Sequence, residues 1–306
     1  MVPVCNRTRY LTEALDSVVA QAFNRSKMQI EVVDNSSSEN YVMSLINRSY
    51  GDRVSFYRQS KHVSMAENWN ICIQRAKGAL IHILHDDDFV APGYYTEIES
   101  LAHKYPNVGL YATRNFFVDD ESIITGISGR IRELEKPARA VDSFFYRTPI
   151  ECAAVTVQRT AYEALGGFRL DMGYVIDCEM WARVTGSHGA IVSPKVLASY
   201  RVGIDSDTSR VLRSAQGMWD ICRLHELFAQ RYPSFRKDEG RSRVSEMVWD
   251  QYLKFKSMGD DEATAANYQA WAQLTPTRQR VARRLHSRIM PYIRRALAIC
   301  KVHKLR

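Results

Sequence analysis

Residues 80–90 read Leu80-Ile81-His82-Ile83-Leu84-His85-Asp86-Asp87-Asp88-Phe89-Val90, an apolar run of strand character that ends in three consecutive carboxylates before apolar residues resume. Adjacent acids repel one another, and a divalent cation that prefers oxygen ligands, Mg²⁺ or Mn²⁺, would hold them together. An acidic turn facing water is the other reading, and for an isolated triplet of acids it is the common one. A further acid, Asp177, falls in the first turn of a helix expected over 176–186, whose core face carries Met180, Trp181 and Val184. The dipole of that helix stabilises a carboxylate at its N-terminus as the anion. That has a plain structural reading as N-terminal charge complementation, which position alone favours.

The elements that must position these acids alternate in type. A strand ends at Met1-Val2-Pro3-Val4-Cys5-Asn6, and a helix over 9–23 follows with Leu11, Leu15, Val18, Val19 and Ala22 on one stripe. A second strand over 29–33 stops at the polar cluster Asp34-Asn35-Ser36-Ser37-Ser38. A helix over 41–47 and a short strand over 54–57 come next. Ser64-Met65-Ala66-Glu67 has the form of a capping box and starts a helix with Met65, Trp69, Cys72, Ile73 and Ala76 inward, closed by Gly78. Strand and helix alternation of this kind predicts a parallel sheet with covering helices. Ligands of such sheets bind outside the carboxyl ends of the strands. Pro3–Asn6, Asp34–Ser38 and Asp86–Asp88 are therefore expected on one rim.

Further along, a strand is expected over 108–112, a hairpin or long excursion over 113–150, and a buried strand over 153–157. A helix then runs through Leu165 to Gly166-Gly167-Phe168, and segments 190–192 and 196–201 complete the sheet domain. The division expected is 1–210 for an α/β catalytic domain and 211–306 for a helical extension, with helices near 211–231, 239–258 and 261–274. The last stretch, 278–306, carries ten Lys or Arg and no Asp or Glu, with Val281, Leu285, Ile289, Ile293 and Leu297 at four-residue spacing and Pro291 as a breaker. A basic amphipathic helix of this kind lies on an anionic membrane surface or packs its apolar stripe on its own protein.

Composition narrows the function classes. With 306 residues, 45% hydrophobic and 25% charged, the chain suits a globular protein with a sizeable core, and no apolar run approaches the length of a bilayer span. Arg7, Arg9 and Glu13 interrupt any hydrophobic stretch near the start, so no signal peptide is expected. Six scattered cysteines without paired spacing point to reduced thiols in a cytoplasm rather than to disulfides or zinc. The net charge of +8 resides in the tail: without it 32 basic residues face 34 acidic ones. Nucleic acid is accordingly not expected as a partner.

Taken together, these pieces resemble glycosyltransferase family 2, with its GT-A fold, over about residues 1–210. Pro3-Val4-Cys5-Asn6-Arg7 is similar to the family's P-V-Y-N-R, and Val32-Val33-Asp34-Asn35-Ser36-Ser37 to its V-V-D-D/N-x-S. Asn68-Trp69-Asn70, Leu84-His85-Asp86-Asp87-Asp88-Phe89, Gly166-Gly167-Phe168, Asp177-Cys178-Glu179-Met180-Trp181-Ala182-Arg183 and Tyr200-Arg201 follow in the family's order. The resemblance implies an α/β, GT-A-like mixed and mostly parallel sheet with covering helices and a C-terminal helical extension. It implies that Pro3, Val4, Cys5, Asn6, Asp34 and Asn68 bind the nucleotide, that Asp87 is the principal metal ligand with Asp88 supporting, and that Asp86 serves the ribose or the metal. Asp177 is the implied base, which gives single displacement with inversion.

The chain departs from the pattern at several places. The family's first strand usually carries about five more residues before the proline, so either a start downstream of the true one or a short first strand is expected. Cys5 stands where an aromatic usually stacks on the base, His85 where the first acid of the DXD motif stands, and Ile176 where a Glu often precedes the base. Val202-Gly203 follows Tyr200-Arg201 without the His that often completes the metal site.

The resulting expectation is an inverting transferase that moves a hexosyl or deoxyhexosyl group from a nucleotide sugar to a saccharide or lipid-linked acceptor. Its place would be surface-polysaccharide synthesis, in the cytoplasm or peripherally at the inner membrane face through 278–306. A metal-dependent nucleotidyltransferase or phosphohydrolase built on the same acids is an alternative, although no P-loop glycine pattern is present. A degenerate, non-catalytic transferase fold acting as a scaffold is another.

Overall fold

A computed structural model describes residues 1–21, 27–38, 40–131, 140–145, 148–203, 206–278 and 280. The chain divides into two compact units, Met1–Ser209 with Gln230–Phe235, and Arg210–Ala229 with the described residues from Arg236 onward. The first unit carries every acid singled out above.

Three strands open this unit: β1 (Val2–Val4), β2 (Glu31–Asp34) and β3 (Ser55–Arg58), hydrogen-bonded in parallel in the order β1-β2-β3. Val4 pairs with Asp34 and Asp34 with Arg58, so the carboxyl ends of all three strands share one edge. Helices α1 (Leu11–Val19), α2 (Tyr41–Ser49) and α3 (Met65–Arg75) connect them. Leu11, Ala14, Leu15 and Val18 form the buried stripe of α1 and join Val2, Val4, Val32, Leu45 and Ile46 in the core. The predicted capping box of α3 is present: Ser64 Oγ accepts from Glu67 N at 3.2 Å, and Glu67 Oε2 accepts from Ser64 N at 2.9 Å.

The second sheet contains β4 (Leu80–His82), β5 (Phe89–Val90), β6 (Leu110–Val118), β7 (Ile124–Ile127), β8 (Val155–Gln158) and β9 (Ala190–Arg201). Its order is β4-β8-β6-β9-β5, with β7 hairpinned onto β6. Parallel pairing holds throughout the first sheet, but here only β6–β9 is parallel; β4–β8, β5–β9, β6–β7 and β6–β8 are antiparallel. The sheet is thus mixed, with a smaller parallel share than the strand–helix alternation of the first ninety residues suggested. Two bonds link the sheets, Met1 N to His82 O at 2.9 Å and Leu84 N to Met1 O at 3.0 Å.

Helices α4 (Tyr94–Lys104), α5 (Arg159–Leu165) and α6 (Ile176–His188) cover this sheet. The segments expected as two strands, 190–192 and 196–201, are one strand. Pro194, which has no N–H to donate, falls where the β6–β9 register slips between Ala112 and Arg114. The expected strand at 153 begins instead with a 3₁₀ turn, Cys152–Ala154.

Beyond the sheet lie α7 (Asp207–Arg213), α8 (Gln216–Arg231), α9 (Lys237–Met258) and α10 (Asp261–Leu274). In the second unit Met218, Val244, Val248, Trp249, Ala270 and Trp271 form a separate core, with Trp249 and Trp271 ring centroids 4.4 Å apart. Among the described residues no helix is long and apolar enough to cross a membrane. The proposed stripe Val281–Leu297 lies outside the described residues.

Candidate active site

The acidic turn leaves β4 at His82, runs through Asp86–Asp88 and enters β5 at Phe89. Its charges are largely compensated by the protein itself. Arg7 places one guanidinium nitrogen 2.9 Å from Asp86 Oδ1 and the other 3.0 Å from Asp87 Oδ2. Arg201 holds the turn from behind: its N–H donates to Asp88 Oδ1 at 2.9 Å and its Nε to the Asp87 carbonyl at 2.9 Å. The same guanidinium lies over the Tyr10 ring at 3.8 Å and pairs with Glu13 at 2.7 Å, and Arg201 is 3% exposed. Three adjacent acids therefore have a structural reason to coexist without a cation, and they do not form a turn that simply faces water, since Asp86 and Asp88 are buried. Burial, followed by the neighbouring Asp87 charge, raises the Asp88 carboxyl well above the usual carboxylate range.

A cation seat is nevertheless compatible with these residues. Donor atoms of His85, Asp87 and Asp88 lie within 4.8 Å of one another. Asp88 Oδ2 is buried, accepts no hydrogen bond among the described residues, and sits 3.6 Å from His85 Nδ1. An oxygen so placed carries an unmet demand for a positive partner.

The strand ends beside this turn are knitted together. Asn6 takes a left-handed backbone (φ 56°), accepts from Ser38 N through its Oδ1 at 2.9 Å and donates its own N–H to Ser37 Oγ at 2.9 Å. Asp34, fully buried, accepts from Ser37 N at 3.0 Å and from Arg58 Nε at 2.6 Å. Asn35 fixes the next loop through a reciprocal pair with Val63 at 2.9 and 3.0 Å. Pro3, Val4, Cys5, Asn6 and Asp34 are thus brought to one edge. The Asp34 carboxylate already has protein partners there, and Asn68 lies buried with its Oδ1 accepting from Gln59 Nε2 at 2.5 Å.

Asp177 stands at the start of α6, one residue past Ile176, and accepts from Cys178 N at 2.7 Å. That bond is the expected contribution of the helix terminus, yet burial outweighs it and lifts the carboxyl to about 6. The anion is therefore not stabilised overall as the dipole argument implied, although at neutral pH it still predominates. The rest of the D-x-x-x-W-x-R motif is structural. Arg183 pairs with Glu179 at 2.8 Å and donates to the Leu165 and Gly167 carbonyls at 2.7 and 2.9 Å, while Trp181 is buried. Asn70 grips the same Gly-Gly-Phe turn, donating to Phe168 O at 2.9 Å and accepting from Phe168 N at 2.7 Å. A Cβ on Gly167 would collide with Asn70 Oδ1, so the close approach requires glycine.

Glu151 was not singled out from sequence. It precedes the turn Cys152–Ala154, whose Cys152 Sγ donates to Ile83 O at 3.7 Å and whose Ala153 carbonyl meets His82 Nε2 at 3.0 Å. Burial, with the Asp177 charge second, pushes Glu151 up to about 8. Glu151 also acts on Asp88. Glu151 therefore feels the Asp177 charge on one side and adds to the raised carboxyl of Asp88 on the other. A Glu immediately before a buried apolar strand was the available signal for it. For Arg7 and Arg201 the signal was their place in the Asn-Arg and Tyr-Arg motifs.

Residues 1–164 match the model of glycosyl transferase family 2. An uncharacterized protein of Mycobacterium tuberculosis is 25% identical over 73% of this chain and 72% of its own length. An uncharacterized glycosyltransferase of Rickettsia typhi is 22% identical over 71% of this chain and 67% of its own. Among solved structures, S. aureus TarS 1-349 in complex with UDP-GlcNAc superposes with a TM-score of 0.59 at 12% identity, over 90% of this chain and 81% of that one. The mannosyltransferase PcManGT from Pyrobaculum calidifontis, in complex with GDP-Man and Mn²⁺, gives 0.56 at 16% identity, over 94% and 79%. At these identities the structural likeness establishes a shared fold, the GT-A architecture.

Proposed function

Since the chain belongs to glycosyl transferase family 2, we propose that this glycosyltransferase inverts the anomeric centre, with Asp177 taking the proton from an acceptor hydroxyl. The observation that carries this reading is the place of Asp177, buried in the first turn of α6 with its carboxylate accepting from Cys178 N at 2.7 Å, where burial lifts the carboxyl to about 6. A base must be ionised at working pH yet basic enough to accept a proton, and a carboxylate raised toward neutrality meets both demands.

Asp87 and Asp88 would hold a divalent cation, Mg²⁺ or Mn²⁺, that neutralises the charge developing on the leaving diphosphate. The edge formed by Pro3–Asn6 and Asp34–Ser38 would receive the nucleotide, with Asp86 oriented by Arg7 for the ribose or the cation. The nucleotide sugars in the two structural neighbours, UDP-GlcNAc and GDP-Man, support a nucleotide-sugar donor here. The acceptor would be a saccharide or a lipid-linked saccharide in surface-polysaccharide assembly, with the basic stretch 278–306 holding the enzyme at the inner membrane face.

A thermal-shift panel of UDP-, GDP- and dTDP-sugars, with and without Mn²⁺, followed by product analysis, tests the reading. A stabilising donor together with a glycoside and a nucleoside diphosphate supports it. Pyrophosphate or free phosphate as product would replace it with the nucleotidyltransferase or phosphohydrolase, and no binding of any donor would favour the scaffold.

A further inference from the structure

We propose that Arg7 is a ligand for the diphosphate of the donor, kept on the acidic turn as a counter-ion until a divalent cation takes Asp87 from it. The inference rests on the nucleotide-sugar and metal-dependent reading above and adds a donor contact to it.

Three observations converge on it. The Arg7 guanidinium spans two carboxylates, with one nitrogen 2.9 Å from Asp86 Oδ1 and the other 3.0 Å from Asp87 Oδ2. One positive charge is thus shared between two anions, which is the service a bound cation would give them. Asp87 also belongs to the set, with His85 and Asp88, whose donor atoms gather within 4.8 Å. A cation among those donors and the guanidinium would draw on the same carboxylate, and their like charges oppose joint occupancy. Finally, the two arginines of the turn differ in freedom. Arg201 is 3% exposed and tied to the Asp87 and Asp119 carbonyls and to Glu13. The Arg7 side chain is 43% exposed. It follows Asn6, whose bonds with Ser37 and Ser38 fix the loop after β1. Its backbone is therefore anchored at the strand edge, while its side chain can turn without unpacking the core.

The chemistry of the guanidinium sets the exchange. Its planar fork pairs with carboxylate and phosphate oxygens alike. Once a cation neutralises Asp87, the nitrogen that held Asp87 loses that acceptor, while the other stays on Asp86. A diphosphate arriving at the edge of Pro3–Asn6 supplies an oxygen in its place. The cation alone therefore binds against Arg7, and the cation together with a diphosphate binds with its help. Coupling of this kind is reciprocal, so Mn²⁺ tightens the nucleotide by the factor with which the nucleotide tightens Mn²⁺.

The test uses the full chain, with Mn²⁺ and with UDP, GDP and dTDP as probes. Electron paramagnetic resonance reads Mn²⁺ binding alone, and calorimetry reads each nucleotide at saturating Mn²⁺. Arg7→Gln, which lacks the charge, should bind Mn²⁺ alone about tenfold more tightly than the wild type and the nucleotide about tenfold more weakly. Arg7→Lys, a charge without the fork, should leave Mn²⁺ binding near that of the wild type and recover only part of the nucleotide affinity. On the wild type itself, arginines treated with a dicarbonyl reagent are mapped by mass spectrometry. Arg7 should react faster when Mn²⁺ is added, and slower when Mn²⁺ and nucleotide are added together. That readout does not depend on a variant folding. Mn²⁺ binding by Arg7→Gln no tighter than that of the wild type, or Arg7 reactivity indifferent to Mn²⁺, would overturn the exchange. Either result leaves the transferase reading intact, since that reading is judged by glycoside formation. Failure of the wild type to bind Mn²⁺ with any of the three nucleotides would overturn both.

Discussion

Arg201 and Asp88 are joined by a backbone-to-carboxylate bond of 2.9 Å, while the Arg201 side chain reaches the Asp87 carbonyl, Asp119, Glu13 and the Tyr10 ring. A buried arginine with this many partners cannot be removed without leaving several acceptors unmet. Arg201→Ala is expected to destabilise the protein by about 3–5 kcal/mol, the usual cost of breaking a buried ion pair. Urea unfolding would measure it. A loss below about 1 kcal/mol, in the range of an exposed pair, would mean that the clamp does not hold the turn.

Asp177→Asn keeps the shape of the side chain and removes its basicity. Transfer is expected to fall by about 10²–10⁴-fold, the range supplied by a general base, while donor affinity stays near that of the wild type. Initial rates with a responsive donor, alongside calorimetric donor binding, separate the two. Unchanged turnover would remove Asp177 from the mechanism.

The pH dependence follows from the two raised carboxyls. Asp177 becomes the anion as pH rises through about 6, so the rate should climb there; Glu151 loses its proton near 8, and a second inflection is expected at that point. Glu151→Gln should erase the upper inflection and keep the lower one.

Stability has the opposite sign. Both folded-state values lie above those of ordinary carboxylates, so the native state holds more protons than the unfolded chain. Their contribution is complete at pH below about 4 and is lost as pH rises through about 6 and about 8. Between pH 5 and 8 the melting temperature of metal-free wild type should therefore fall relative to that of Glu151→Gln.

Gly167→Ala is expected to cost about 1–3 kcal/mol through overpacking against Asn70. Asn70→Ala removes the obstructing amide, so the double variant should be less damaged than the two single losses added together. Strict additivity in chemical denaturation would show that the two residues do not interfere.

What could be read from sequence followed the reach of the interactions involved. The capping box at Ser64–Glu67 and the apolar stripe of α1 are local patterns, and they appear within a few residues of their expected places. The order of motifs likewise located the acidic turn and Asp177. The mixed character of the sheet came through the family resemblance alone; which strands of the second sheet run antiparallel was not legible, because β8 and β9 pair with strands far away along the chain and their own composition does not state direction. Nor was the pairing of Arg7, which the sequence marks only as the last residue of the Pro3–Arg7 motif, with Asp86, 79 residues on in the chain, and with Asp87. The raised value at Asp177 was hidden for a similar reason. A helix dipole can be inferred from position, whereas burial depends on what the rest of the chain packs against it.

The bonds that build the site span long separations: 98 residues between Asn70 and Phe168, and 113 between Asp88 and Arg201. Closing such loops carries an entropic cost before any contact compensates for it, and non-local pairings form slowly. The acidic turn clamped by Arg201 and the Gly-Gly-Phe turn held by Asn70 are therefore expected to acquire their geometry later than elements built from local contacts. A nascent chain that has emerged only through residue 164 carries the edge formed by Pro3–Asn6 and Asp34–Ser38 but neither the clamp from Arg201 nor Asp177. Such a chain has the first three strands and the acidic turn in sequence, but not the residues that would complete the site around them.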